Sequence, residues 1–167
     1  MIGKSTLTKT IFVGLFVLLL SGCSTFQVTK PTTAAQGASD FTFGGTDLQG
    51  PLIIKVQFNQ AVDSGTVIPG KTLILDTQIR DPQNGQLTRK EIDGTVQWNG
   101  DQEFTYTTTK IRKDLPFQGG PDVGFTLTLI GTDKGNGVVK AKDGTLLDGD
   151  KDGTAGGDYK RQFLLPG

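Results

Sequence analysis

Between Leu52 and Phe58 the chain alternates without a break. Leu52, Ile54, Val56 and Phe58 fall on one side, Ile53, Lys55 and Gln57 on the other. A period of two describes a strand with two different faces, and no helix sorts these residues the same way. Pro51 is tolerated at the start, because a first strand residue need not donate to a ladder. The period returns at Phe125, Leu127 and Leu129, which alternate with Thr126 and Thr128. It returns again at Phe104 and Tyr106, and at Val96 and Trp98. Shorter strand pieces stand at 41–46, 66–68, 72–76, 138–139 and 159–165. Asp63-Ser64-Gly65, Pro69-Gly70, Asp81 to Gly85 and Asn99-Gly100-Asp101 separate them. Asn84-Gly85 accepts the positive φ of a tight hairpin, and residues 95–109 read as a second hairpin. Residues 110–122, with charges, two prolines and Gly119-Gly120, read as a long loop.

The count is seven to nine short strands with no helical pattern between them. Strands without helical crossovers pair antiparallel, and two such sheets bury their apolar faces against each other. The expected fold is an all-β, antiparallel β-sandwich. Trp98, Phe58, Phe104, Tyr106, Phe125 and Phe163 are its expected core aromatics, with a carbohydrate-stacking role as the alternative for each.

The first 22 residues have a different composition. Lys4 and Lys9 precede an apolar run of ten residues, Ile11 to Leu20, and Ser21-Gly22 then leads into Cys23, the one cysteine of the chain. This is a signal-peptide pattern, too short for a spanning helix, which needs about 20 apolar residues. Leu20-Ser21-Gly22-Cys23 resembles the bacterial lipobox, where the peptide is cut before a cysteine that receives lipid. The resemblance implies a signal peptide over 1–22, lipidation at Cys23 and a protein held to a membrane by that anchor. Ser24 follows where many inner-membrane lipoproteins carry Asp, which implies the outer membrane if the cell has one. The alternatives are a short membrane helix that is never removed and an ordinary signal peptide cut elsewhere. Residues 23–40, small, polar and unpatterned after the cysteine, read as a lipidated flexible linker, or else as a poorly patterned first strand. The domain is expected over 41–167.

Charge excludes some partners. Of 17 basic residues, Lys4 and Lys9 precede Cys23, whereas all 17 acidic residues follow it. A slightly acidic mature chain is not built for nucleic acid or an anionic membrane face as its main partner, since both demand clustered Lys and Arg. The chain has no histidine, so the usual general base and zinc ligand are missing. No G-x-S-x-G phrase marks a serine nucleophile. A non-enzymatic role is expected, with a carboxylate-dependent enzyme as the remote alternative.

Three phrases resemble bacterial Ig-like domains related to those of S-layer proteins. They are IIKVQFNQAVDSGTV (53–67), GTVQWNGDQEFTYTTTK (94–110) and the closing stretch 124–163 with its Asp-Gly-rich loop. The resemblance covers roughly 45–165 and implies an Ig-like sandwich serving at the cell surface or in the periplasm. Such modules act as spacers, adhesins or accessory domains. The loop near 110–122 departs from a minimal domain of this kind and leaves the strand order open.

One constellation carries chemistry. Asp148-Gly149-Asp150-Lys151-Asp152-Gly153 matches the first half of an EF-hand-type loop, D-x-D-x-D-G. Calcium seeks 6–8 oxygens, and alternate residues of a tight loop aim carboxylates inward. Thr154 would offer its backbone carbonyl. The twelfth position, where a bidentate Glu belongs, is Tyr159, so Asp158 is the candidate substitute and Asp143 a further donor. The alternative is a solvated Asp-Gly turn. The expected metal set is therefore Asp148, Asp150, Asp152, Thr154 and Asp158, with calcium as the ion. The expected role is binding, to an envelope protein or glycan, through loops near 110–122 and 143–158. A structural spacer or accessory subunit of an envelope complex is the alternative.

Overall fold

The computed structural model describes residues 24–31, 41–43, 50–80, 83–115 and 124–164. Residues 1–23, with the expected signal peptide and lipidation site Cys23, lie outside the described residues. Nine strands follow in chain order: β1 (Val28–Lys30), β2 (Phe41–Phe43), β3 (Pro51–Phe58), β4 (Leu73–Arg80), β5 (Leu87–Glu91), β6 (Gly94–Trp98), β7 (Glu103–Ile111), β8 (Gly124–Leu129) and β9 (Tyr159–Leu164). All pairings between them are antiparallel.

One sheet runs β1-β3-β7-β6, and the other β5-β4-β8-β9. β2 joins the first sheet on β3, facing Leu52 to Ile54, while β1 faces Gln57 and Phe58. The two short strands divide between them the one edge of β3 that β7 leaves free. Taken in chain order, this is the immunoglobulin arrangement: A-B-E-D in one sheet, C-F-G in the other, with one added strand beside C. The expected β-sandwich is thus the observed one, and its strand order is Ig-like.

Alternation sets the core. On β3, Leu52, Ile54, Val56 and Phe58 are buried, as their spacing requires. Each contributes roughly 1.5–3 kcal/mol by leaving water. They pack in one cluster with Leu73 and Leu75 of β4, Phe104 and Tyr106 of β7, and Phe125, Leu127 and Leu129 of β8. The Tyr106 hydroxyl is satisfied by donating to the Ile92 carbonyl at 2.8 Å. Of the six expected core aromatics, five are fully buried. Trp98 lies only partly buried at the rim, edge-on to Phe104 at 5.3 Å.

Three expectations need correction. Residues 24–31, read as part of a flexible linker, belong to the sandwich. Phe26 and Val28 are buried in the core, and the Phe26 ring stacks on Phe58 at 5.3 Å. Two apolar residues in a polar stretch do not form a pattern, yet the end of β3 offers them a groove. Residues 66–68 are not a strand: Ser64–Thr66 is a 3₁₀ turn, capped by Asp63, whose Oδ1 accepts from the Gly65 amide. Val138-Val139 forms no strand either. Val139 is buried and its amide donates to Ile130, but pairing nearby is confined to isolated bridges. Conversely, β5 has no apolar alternation to reveal it. Thr88, Arg89, Lys90 and Glu91 are exposed along a sheet edge, where charge blunts further pairing. Arg89 reaches back to clamp buried Asp76 with two hydrogen bonds, at 2.7 and 3.2 Å.

The connections gather at two ends. At one, the β3–β4 loop (59–72), the β6–β7 turn (99–102) and the long β8–β9 connection (130–158) interlock. Val62 donates to Asp101, Asp63 to Lys140 and Lys142 to Ala61 through backbone bonds of 2.7–2.9 Å. The chain enters the sandwich at this same end, since Asn59 donates to Gln27 and Asp148 to Phe26. The β4–β5 turn and residues 112–115 lie at the other end. Of the loops expected to form one contact surface, near 110–122 and 143–158, the described residues 112–115 therefore sit apart from 143–158, and 116–123 are outside the described residues.

Candidate metal centre

The β8–β9 connection carries the Asp-Gly phrase. Its first part folds on Asp143 and Gly144: the Asp143 carboxylate accepts from the Thr145 amide at 2.9 Å, and Gly144 takes φ of 90°. Asp143 thus caps its own turn and takes no part in a metal cluster. Leu147 then enters the core, which fixes the residue after it.

From Asp148 the chain makes a loop cinched at its base. Gly149 donates to the Gly157 carbonyl at 3.0 Å, and Gly156 to Leu147 at 2.9 Å. The strands of this neck lie so close that a Cβ at Gly149 would collide with the backbone of Asp158 and Tyr159. A Cβ at Gly157 would instead strike the Asp150 carboxylate. Lys151 and Gly153 both take left-handed backbone, with φ of 61° and 89°, which coils the loop tightly.

The result brings Asp148, Asp150 and Asp152 together. One carboxylate oxygen from each lies within 4.8 Å of the others. Asp150 and Asp152 are exposed, whereas Asp148 has 0% of its surface exposed. Its Oδ2 accepts from the Gln27 side chain at 2.6 Å and from the Gly153 amide at 3.2 Å. Its Oδ1 is buried and has no hydrogen-bond partner. Burial alone would favour the protonated form. Bonds from the side chains of Gln27 and Thr25 and from the amides of Gly153 and Lys151 outweigh it, so the pKa lies below the ordinary carboxylate value. Asp148 is therefore an ionised, buried group with one oxygen unsatisfied, beside two more carboxylates. Such groups are rare because each costs desolvation without return, and a cation in the cluster satisfies all three at once. The three aspartates can bind a metal ion.

Of the other expected donors, Asp158 stands outside the cluster. Asp158 Oδ1 accepts from the amides of Gly131 and Thr132, each at 3.1 Å, and ties the loop to the end of β8. Burial opposes its ionisation, but these amides, followed by Lys134, lower its pKa. Tyr159, at the twelfth position, is buried and donates its hydroxyl to Pro31 at 3.1 Å. The Thr154 amide donates to Asp152 Oδ1 at 2.7 Å and holds that side chain in place. Gln27 is the residue sequence reasoning missed. It stands 121 positions from Asp148, and only the fold brings the two together.

A cleft of about 300 Å³ opens beside the loop, lined by Thr29, Pro31, Asp150, Lys151, Lys160 and Arg161 among others. Asp150 belongs to both the cleft and the cluster. No family model, curated protein or solved structure matches this chain.

Proposed function

We propose that this chain is a lipid-anchored envelope protein with one Ig-like domain, which binds calcium at Asp148, Asp150 and Asp152 and works by binding rather than catalysis. The unsatisfied oxygen of buried Asp148 carries the metal part of this reading. Carboxylate oxygens are hard ligands and suit calcium. With one oxygen from each, three carboxylates fall short of six to eight donors, so water or a partner group would complete the shell, and affinity belongs with the weak extracellular modules at about 10⁻⁴–10⁻³ M. The anchor part rests on the lipobox-like phrase ending at Cys23. The binding part rests on the cleft, where Lys151, Lys160 and Arg161 stand beside the cluster and suit an anionic group on a protein or glycan.

Calcium is expected to raise the melting temperature. A ligand at ten times its Kd stabilises the folded state by about 1.4 kcal/mol, enough to move Tm by several degrees. Asp152→Asn should abolish the response and leave the metal-free Tm nearly unchanged, because Asp152 is exposed. Calorimetry with and without chelator decides it: an identical Tm at millimolar calcium would return the loop to a solvated turn.

A further inference from the structure

We infer that the end of the sandwich formed by loops 59–72 and 130–158 is a docking face for the lipid bilayer, with Ile68 at the contact. The inference rests on the anchor reading of Cys23 and adds which face the anchor presents. The folded body begins immediately after that cysteine. The Ser24 carbonyl accepts from the Gln60 side chain and the Thr25 carbonyl from the Asn59 side chain, both at 2.7 Å, and Phe26 is buried in the core. One residue spans at most about 3.6 Å. A lipid on Cys23 therefore has no tether to lift the domain away, and the end where Ser24 sits must meet the headgroups.

A second observation points to the same face. Among the described residues, Ile68 is the large hydrophobic side chain left exposed, at 41% of its surface. A single exposed isoleucine means little in isolation. This one lies in the β3–β4 loop, at the anchored end, and the exposed Pro69, Gly70 and Lys71 follow it. The turn holds it outward: the Ile68 carbonyl accepts from the amides of Lys71, Thr72 and Leu73. An apolar tip beside a lysine suits the headgroup–acyl boundary. Aspartates outnumber lysines over the loops of this end, so an anionic bilayer repels it until a cation occupies the cluster. Calcium should thus tighten the seat on anionic lipid more than on neutral lipid.

The test uses the lipid-bearing protein in vesicles. With Cys23 occupied by lipid, Ile68→Cys and Asn84→Cys each offer one thiol for an environment-sensitive dye, Asn84 lying at the opposite end. The vesicles are phosphatidylcholine, with or without phosphatidylglycerol, and carry a spin-labelled quencher lipid. The dye at 68 is expected to shift to the blue and lose most of its emission to the quencher, the dye at 84 to do neither. Added calcium should deepen quenching at 68 on the anionic vesicles. A lipidated protein whose dye at 68 is no more quenched than that at 84 overturns the docking face and leaves the anchor standing. Mass spectrometry showing unmodified Cys23 removes the anchor and this inference with it.

Discussion

At the residue scale, burial changes what single groups contribute to stability across pH. Burial is the main cause that pushes Tyr159 up to about 12, against the opposing charge of Arg161. Burial also raises Tyr106, with the carboxylates of Asp93 and Glu91 adding to it. Both folded values lie above the unfolded value of about 10. The neutral phenols therefore stabilise the fold fully below pH 10, and that stability is lost as pH rises towards the folded values. Asp148 and Asp158 run the other way. Their depressed pKa values give stability present above about pH 4 and lost as pH falls through the folded values. Thermal melts from pH 3 to 12 should show a plateau with two falling arms. Tyr106→Phe should flatten the alkaline arm, and an unchanged arm would show that the buried phenol does not limit it.

At the element scale, the loop between β8 and β9 lets the candidate metal site be tested apart from the fold. Its two neck glycines meet different neighbours. Gly149 faces backbone, which cannot yield, so Gly149→Ala should lower Tm with or without calcium. Gly157 faces the exposed Asp150 side chain, which can swing away. Gly157→Ala should therefore weaken calcium binding at least severalfold while the metal-free stability moves by no more than about 0.5 kcal/mol, the range of ordinary surface changes. Titration calorimetry and melting on the same samples check both. The D-x-D-x-D-G spacing was legible in the sequence because its three carboxylates and its left-handed Gly153 are local features. The second half of the site was not legible. Whether Asp158 faces the cluster depends on the amides of Gly131 and Thr132, 27 and 26 residues away.

At the scale of the whole molecule, the boundary of the domain moves. The sandwich starts at the beginning of what reads as a linker, because Phe26 and Val28 fill the core beneath the end of β3. Phe26→Ala should cost about 3–5 kcal/mol, the usual range for a buried phenylalanine. Urea denaturation measures it, and a loss below 1 kcal/mol would restore the linker. The same docking joins the segment that begins at Ser24 to the Asp-Gly loop through Gln27 and Asp148, so that segment and the candidate metal centre occupy one end of the protein.

The all-β class, the inward face of β3, the hairpin of β6 and β7 and the three clustered aspartates follow from neighbours in the chain. Alternation, turn residues and spacing act over a few residues, so sequence alone determines them. The position of Phe26, the edge strand β5 and the partner of Asp148 were decided by the tertiary structure. Each depends on contacts between distant segments, where a groove, a sheet edge or an unsatisfied carboxylate exists only once both sheets have closed on each other.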